Sequence, residues 1–359
     1  MIASEPSLSL ALIVKNEARC LARCLQSVQG VVNETVVVDT GSADDTVHIA
    51  RECQARVVDF AWRDDFAAAR NFALAQTTGD WILVLDADEH ASPALATEIP
   101  GFIASRPAIG RLKIVSDFRR NNQTLRSQTF VSRLFPRGAH FAGRIHEQLI
   151  SPLPRLDLRG ELWHDGYLGP SKSARNVRML ERELERSPDS TYLWFQLALE
   201  HASLNQTAQA LPCLQRAYAR LRTDEPFAPN VVVDYLYALR ELKHFEEGLR
   251  VVQQADRFCQ NLPDFHRVCG LFYLELVRSN PAQYQAYLPN IEQCFQRCLA
   301  LGESDTGKSV VGTGTFLAYY NLGTLYHVFG EAAAARQCFE RSARFGYEPA
   351  RQMLATLGE

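Results

Sequence analysis

From Leu8 to Val14 the chain is a short apolar run between polar neighbours, and 18–29 follow with Leu21, Cys24, Leu25 and Val28 at helical spacing. That is a strand and then a helix. The alternation repeats: Glu34–Asp39 is β-branched and apolar at its centre, Thr40-Gly41-Ser42 is turn chemistry, and Ser42 with Asp45 resembles a capping box for a helix over 43–54. Arg56–Phe60 makes a third strand, 65–76 a helix, and Trp81–Leu85 a strand apolar on both faces that ends abruptly in Asp86-Ala87-Asp88-Glu89. Strands alternating with helices to residue 100 predict a doubly wound, mainly parallel α/β sheet that binds ligands at the carboxyl ends of its strands. From about 110 to 165 the helix period is lost. Arg111–Val115, Phe130–Phe135 and Gln148–Ile150 read instead as strands of an antiparallel extension to that sheet.

Beyond Pro170 only helical patterns remain, and they recur as hairpins. Tyr319, Leu322, Gly323, Tyr326, Ala335, Phe339 and Ala343 fit the tetratricopeptide pattern of large and small residues on two successive helices. Trp194, Leu197, Ala198, His201, Ala210, Leu214 and Ala217 fit it nearly as well, with degenerate copies at 232–255 and 266–298, the second stretched by an insert around 279–289. The expected organisation is an α/β domain over 1–170 and an all-α, tetratricopeptide-like repeat domain over 171–359. An irregular helical bundle is the alternative for the second half.

Length and composition agree with two globular domains: 359 residues, 47% hydrophobic and 22% charged. With 38 basic against 41 acidic side chains there is no global positive field for nucleic acid or anionic lipid. The first apolar run stops at Lys15 and lacks a basic leader, so neither a signal peptide nor a transmembrane segment is expected. Nine scattered cysteines suggest buried thiols in a reducing compartment, hence a cytoplasmic protein.

The strongest local chemistry is Asp86-Ala87-Asp88 after a buried strand, where two carboxylates can face one crevice and offer hard oxygen ligands to Mg²⁺ or Mn²⁺ on a diphosphate. Acidic residues also end strands by capping the next helix, so the tripeptide alone leaves both readings open.

Its context is more specific. Leu12-Ile-Val-Lys-Asn-Glu17, Val36-Val-Val-Asp39-Thr-Gly-Ser-Ala-Asp44, Asp65-Phe-Ala-Ala-Ala-Arg70-Asn71 and Gly79–Glu89 occur in an order that resembles the nucleotide-binding half of a family 2 glycosyltransferase of GT-A fold. Arg133-Leu-Phe135, Gly143-Arg-Ile-His146-Glu147-Gln-Leu149 and His164-Asp-Gly-Tyr167 resemble the branch of that family with tetratricopeptide repeats behind the catalytic domain, a branch that includes cytoplasmic transferases acting on bacterial peptides.

The resemblance implies a nucleotide-sugar donor, UDP in type, with Mn²⁺ or Mg²⁺ and transfer with inversion at the sugar. In that reading Asp88 is the primary metal ligand, with Asp86 toward the ribose or a metal-bound water. Asp39 meets the uracil edge, Glu17 the ribose or base, and Arg70 is the electrostatic partner of the base-site or diphosphate-site acids. His164 is the further metal ligand. The Glu-Asp pair usual after the metal motif is missing here, so Glu147 is the expected base, with His146 as acceptor contact or as the base itself. An acceptor peptide or protein on the repeat domain is implied. The rivals are an inactive repeat scaffold that binds a partner, and a transferase acting on lipid or polysaccharide; the sequence leaves the oligomeric state open.

Overall fold

A computed structural model describes residues 5–120, 123–164, 172–304 and 307–357. The chain divides into two compact units, Met1–Lys172 and Ser173–Glu359. The boundary expected at 170/171 lies outside the described residues, as does Asp165-Gly-Tyr167 of the fourth motif.

In the first unit β1 (Leu8–Val14) runs parallel to β2 (Glu34–Asp39) and β4 (Trp81–Val84), while β3 (Arg56–Asp59) runs parallel to β2. Alternation decides the layers: Leu8, Leu10, Leu12 and Val14 face a core with Cys24, Leu25, Leu95 and Ile99, whereas Ala11 joins Val36, Val38, Leu74, Ile82 and Phe135 on the other face. Both faces are therefore dry. Full burial of each leucine contributes about 1.5–3 kcal/mol, so this strand is a rigid anchor for whatever follows it.

Helices α1 (Leu21–Ser27), α2 (Thr46–Glu52), α3 (Phe66–Gln76) and α4 (Pro93–Ile103) connect and cover the strands. Asp65 caps α3 by accepting from the Ala68 N–H at 2.8 Å, and Ser92 caps α4 ahead of Pro93. The capping box expected at Ser42 does not form. Ser42 Oγ instead accepts the Asn16 N–H at 2.9 Å, Asp44 takes the Thr46 N–H, and α2 starts later than the periodicity predicts.

The extension is mixed rather than simply antiparallel. The long strands β6 (Ile109–Arg120) and β7 (Gln123–Pro136) form an antiparallel pair, and β7 is antiparallel to β4. However, β10 (Arg155–His164) is parallel to β6 and antiparallel to the short β5 (Glu89–Ala91), giving the order β3-β2-β1-β4-β7-β6-β10-β5. Gln148–Ile150, β9, leaves this sheet and pairs with β8 (His140–Ala142), because Gly143 (φ +94°) and His146 (φ +50°) reverse the chain between them. Gly160 lets β10 touch α4: a Cβ there would lie 2.3 Å from the Leu95 Cα.

The second unit contains α5 (Ser173–Arg186) and then helical hairpins: α6 (Thr191–Ser203) with α7 (Thr207–Ala219), and α8 (Ala228–Glu241) with α9 (Phe245–Cys259). Next come α10 (Pro263–Ser279), a short α11 (Pro281–Tyr284) in the expected insert, and α12 (Leu288–Leu301) packed on α10. Finally α13 (Phe316–Val328) pairs with α14 (Ala332–Ala343), and α15 (Glu348–Thr356) covers α14. The small-residue position of the repeat pattern has a packing cause: at Gly323 a Cβ would stand 2.8 Å from the Phe339 ring. All nine cysteines are free thiols. Among the described residues no helix is long and apolar enough to cross a membrane.

Candidate active site

Register aligns three strand ends. Val14 pairs with Asp39 across β1 and β2, and Ala11 pairs with Val84 across β1 and β4, so Glu17, Asp39 and Asp86 follow the ends of neighbouring parallel strands at one sheet edge. A carboxyl edge of this kind is where an open α/β sheet binds ligands.

Asp39, buried, accepts the N–H groups of Gly41 and Ser42, both at 3.0 Å, and so shapes the turn after β2. A carboxylate has about four acceptor positions, which leaves room for a donor from a ligand. Glu17 sits in the turn after β1, where its N–H goes to Thr46 Oγ1, its carboxylate accepts from the Cys20 thiol and Lys172 Nζ lies 2.5 Å from it.

Asp86 is bound on both oxygens: Arg70 Nη2 donates to one at 2.8 Å and Arg133 Nη2 to the other at 2.6 Å. The same Arg133 nitrogen reaches Glu89 at 2.7 Å, and the other oxygen of Glu89 accepts the Asp86 N–H. Arg70 Nε donates to Glu147. A continuous chain results, Glu147–Arg70–Asp86–Arg133–Glu89, in which both arginine side chains are less than a tenth exposed. Burial works against the Asp86 charge, yet Arg133 and Arg70 outweigh it and hold that carboxyl well below the usual range. Glu89 behaves oppositely: burial, with Arg133 opposing and the Asp86 charge assisting, pushes it up to about 7.

This arrangement narrows what was expected of Asp86. With each oxygen already held by a guanidinium, it orients the site, and its side chain, about a third exposed, keeps acceptor positions for a metal-bound water or a ribose. Asp88 is different. Its Oδ1 lies 3.6 Å from His164 Nε2 and its Oδ2 3.8 Å from Lys172 Nζ, while His164 Nδ1 is anchored 3.2 Å from Ser116 Oγ. Strand pairing explains the meeting, since His164 aligns with Glu89 of β5 and with Ser116 of β6. Among the described residues no group of three or more His, Cys, Asp or Glu forms a ready-made metal cage. A carboxylate and an imidazole held at its other nitrogen nevertheless fit Mn²⁺ or Mg²⁺, which complete their shell with water and substrate phosphates.

Glu147 and His146 lie in the turn between β8 and β9. That turn is held from α3: Asn71 exchanges two hydrogen bonds with the Phe141 backbone, and the Phe66 N–H goes to the Arg144 carbonyl. Hence the adjacent α3 residues Arg70 and Asn71 hold, respectively, the Glu147 side chain and the backbone of β8, the strand that leads into its turn. Sequence reasoning gave no role to Arg133, Glu89, Ser116 or Lys172. The available signal was a lone arginine on a strand position followed by Leu134 and Phe135, a buried charge that requires a partner.

Residues 9–150 match the family model for glycosyl transferase family 2. Those residues form a family 2 glycosyltransferase domain. A TPR repeat-containing protein of Synechococcus elongatus is 52% identical over 97 residues, 27% of this chain and 24% of that protein. The prophage-derived glycosyltransferase SunS of Bacillus subtilis is 28% identical over 227 residues, 59% of this chain and 53% of SunS. The chain thus spans about half or less of the length of these relatives. A crystal structure of glucosyl-3-phosphoglycerate synthase from Mycobacterium tuberculosis in complex with Mn²⁺ and UDP-glucose is 26% identical, covering 32% of this chain and 44% of that one with a TM-score of 0.27. In the transferase domain the matched stretch takes in the whole Glu147–Glu89 ion chain, and it ends before His164 and Lys172.

Proposed function

We propose that the protein is a metal-dependent, inverting glycosyltransferase that moves a sugar from a UDP-type donor to a peptide or protein acceptor. The observation that carries this reading is the meeting of Asp88 with His164 at the carboxyl edge of β1, β2 and β4, within a family 2 domain.

Asp39 and Glu17 flank the strand ends where a nucleoside would lie, with Asp39 offering remaining acceptor capacity to an imide N–H. Asp88 and His164 would hold the divalent cation, which when bound supplies positive charge to the diphosphate leaving group. Arg70 and Arg133 fix Asp86 and thereby the turn that carries Asp88. Glu147 is the proposed base that takes the acceptor's proton, held in place by Arg70, with His146 beside it as an acceptor contact. Cys20, the thiol nearest Glu17, is pushed up to about 12 by burial and by that carboxylate, so it is no thiolate nucleophile to divert transfer through a covalent intermediate. Stacked helical hairpins suit an extended acceptor chain, which supports a peptide or protein substrate.

A screen of nucleotide sugars for slow donor hydrolysis, with Mn²⁺ and with a chelator, tests this. The expected result is hydrolysis of one UDP-sugar that stops in the chelator; failure to bind or hydrolyse any nucleotide sugar would favour a scaffold that only binds a partner.

A further inference from the structure

Lys172 closes the transferase unit, one residue before α5, and its ammonium lies among the donor-site acids: 2.5 Å from Glu17 and 3.8 Å from Asp88. Asp88 is shared, since its second oxygen faces His164. The linked acids exceed the linked cations: Glu17, Asp86, Asp88, Glu89 and Glu147 stand against Arg70, Arg133 and Lys172. The ion pairs of both arginines go to Asp86, Glu89 and Glu147, and among the described residues Lys172 is the lysine or arginine paired with Glu17 and Asp88.

We infer that Lys172 is a resident counter-cation of the donor crevice: its ammonium neutralises Glu17 and Asp88 and must give up Asp88 before a divalent cation binds there. The side chain is suited to such an exchange. It is about half exposed, and lysine carries a compact point charge on a flexible four-carbon stem, so it can swing into water at little cost. A guanidinium locked by two carboxylates, such as Arg133, could not. Lysine at 172 therefore competes with Mn²⁺ in the empty enzyme and lowers its affinity for the metal alone.

The inference rests on the reading of Asp88 and His164 as cation ligands, and a binding measurement without nucleotide separates the two. Mn²⁺ affinity of the full chain is measured by titration against the free-ion EPR signal for wild type, Lys172→Met and Lys172→Arg, with thermal melting as a folding control. Removing a positive charge about 4 Å from a ligand of a doubly charged ion should tighten Mn²⁺ binding on the order of tenfold in Lys172→Met. Lys172→Arg, which keeps the charge, should stay near wild type. Equal affinity in all three, weaker binding in Lys172→Met, or Lys172→Arg behaving like Lys172→Met would overturn the role of Lys172. If neither wild type nor Lys172→Met binds Mn²⁺, the ligand assignment fails as well.

Discussion

Arg133→Met is the most revealing change to the ion chain. One guanidinium nitrogen there serves Asp86 at 2.6 Å and Glu89 at 2.7 Å, and methionine keeps the apolar stem while deleting both bonds. A hydrogen bond to a charged group contributes about 1.5–3 kcal/mol, and removing one partner of a buried pair costs about 3–5 kcal/mol. Asp86 keeps Arg70, so the loss falls mainly on Glu89, whose side chain is 2% exposed. Glu89 already sits at about 7 and without Arg133 rises further, so near neutrality it takes up a proton instead of remaining a buried charge. A carboxyl raised in the folded state loses stabilisation as pH climbs through its folded value, which makes the penalty larger at high pH. The expected loss is about 3–5 kcal/mol at pH 8 and clearly less at pH 6, with Glu89→Gln restoring at least about 1 kcal/mol in the Arg133→Met background. Urea unfolding read by hydrogen exchange at the β4 and β7 amides isolates this unit from the helical one. Stability within about 0.5 kcal/mol of wild type at pH 8, or an equal loss at both pH values, would mean that Arg133 does not hold the Glu89 charge.

Other parts of the molecule make independent predictions. Asp264, at the start of α10, accepts the Val310 N–H, and burial pushes it up to about 6 from an ordinary 3.8. Wild type should lose up to about 3 kcal/mol between pH 4 and 6 that Asp264→Asn does not lose, measured as the difference between their unfolding free energies; parallel pH profiles would contradict this. Gly160→Ala drives a methyl into the α4 backbone at Leu95 and should lower stability by about 2 kcal/mol or more in urea melts, whereas a neutral effect would mean β10 and α4 pack less closely. Glu147→Gln should suppress sugar transfer at least about a hundredfold and leave donor affinity nearly intact, and transfer at the wild-type rate would move the base assignment to His146.

Much of the fold is legible because its signals are local. The short apolar runs at Leu8–Val14 and Trp81–Leu85 and the repeat positions from Tyr319 to Ala343 depend on neighbours in sequence, and the structure realises them as β1, β4 and the α13–α14 hairpin. Long-range pairing is where the reading ran out. Arg133 finds Asp86 and Glu89 47 and 44 positions away, and Lys172 reaches Glu17 across 155. Nothing in the local pattern ranks those partners. Ser42 shows the same limit on a smaller scale: it has capping-box spacing, but Asn16 at the end of β1 competes for its hydroxyl and wins.

In the proposed reaction Asp88 holds the cation that stabilises the leaving diphosphate. The most direct measurement is the rate of UDP-sugar hydrolysis in saturating Mn²⁺ by Asp88→Ala beside wild type, with circular dichroism confirming that the variant folds. The expected result is a fall of at least about a hundredfold, the scale on which removal of a charge-stabilising group slows an enzyme. An unchanged rate in Asp88→Ala would contradict it.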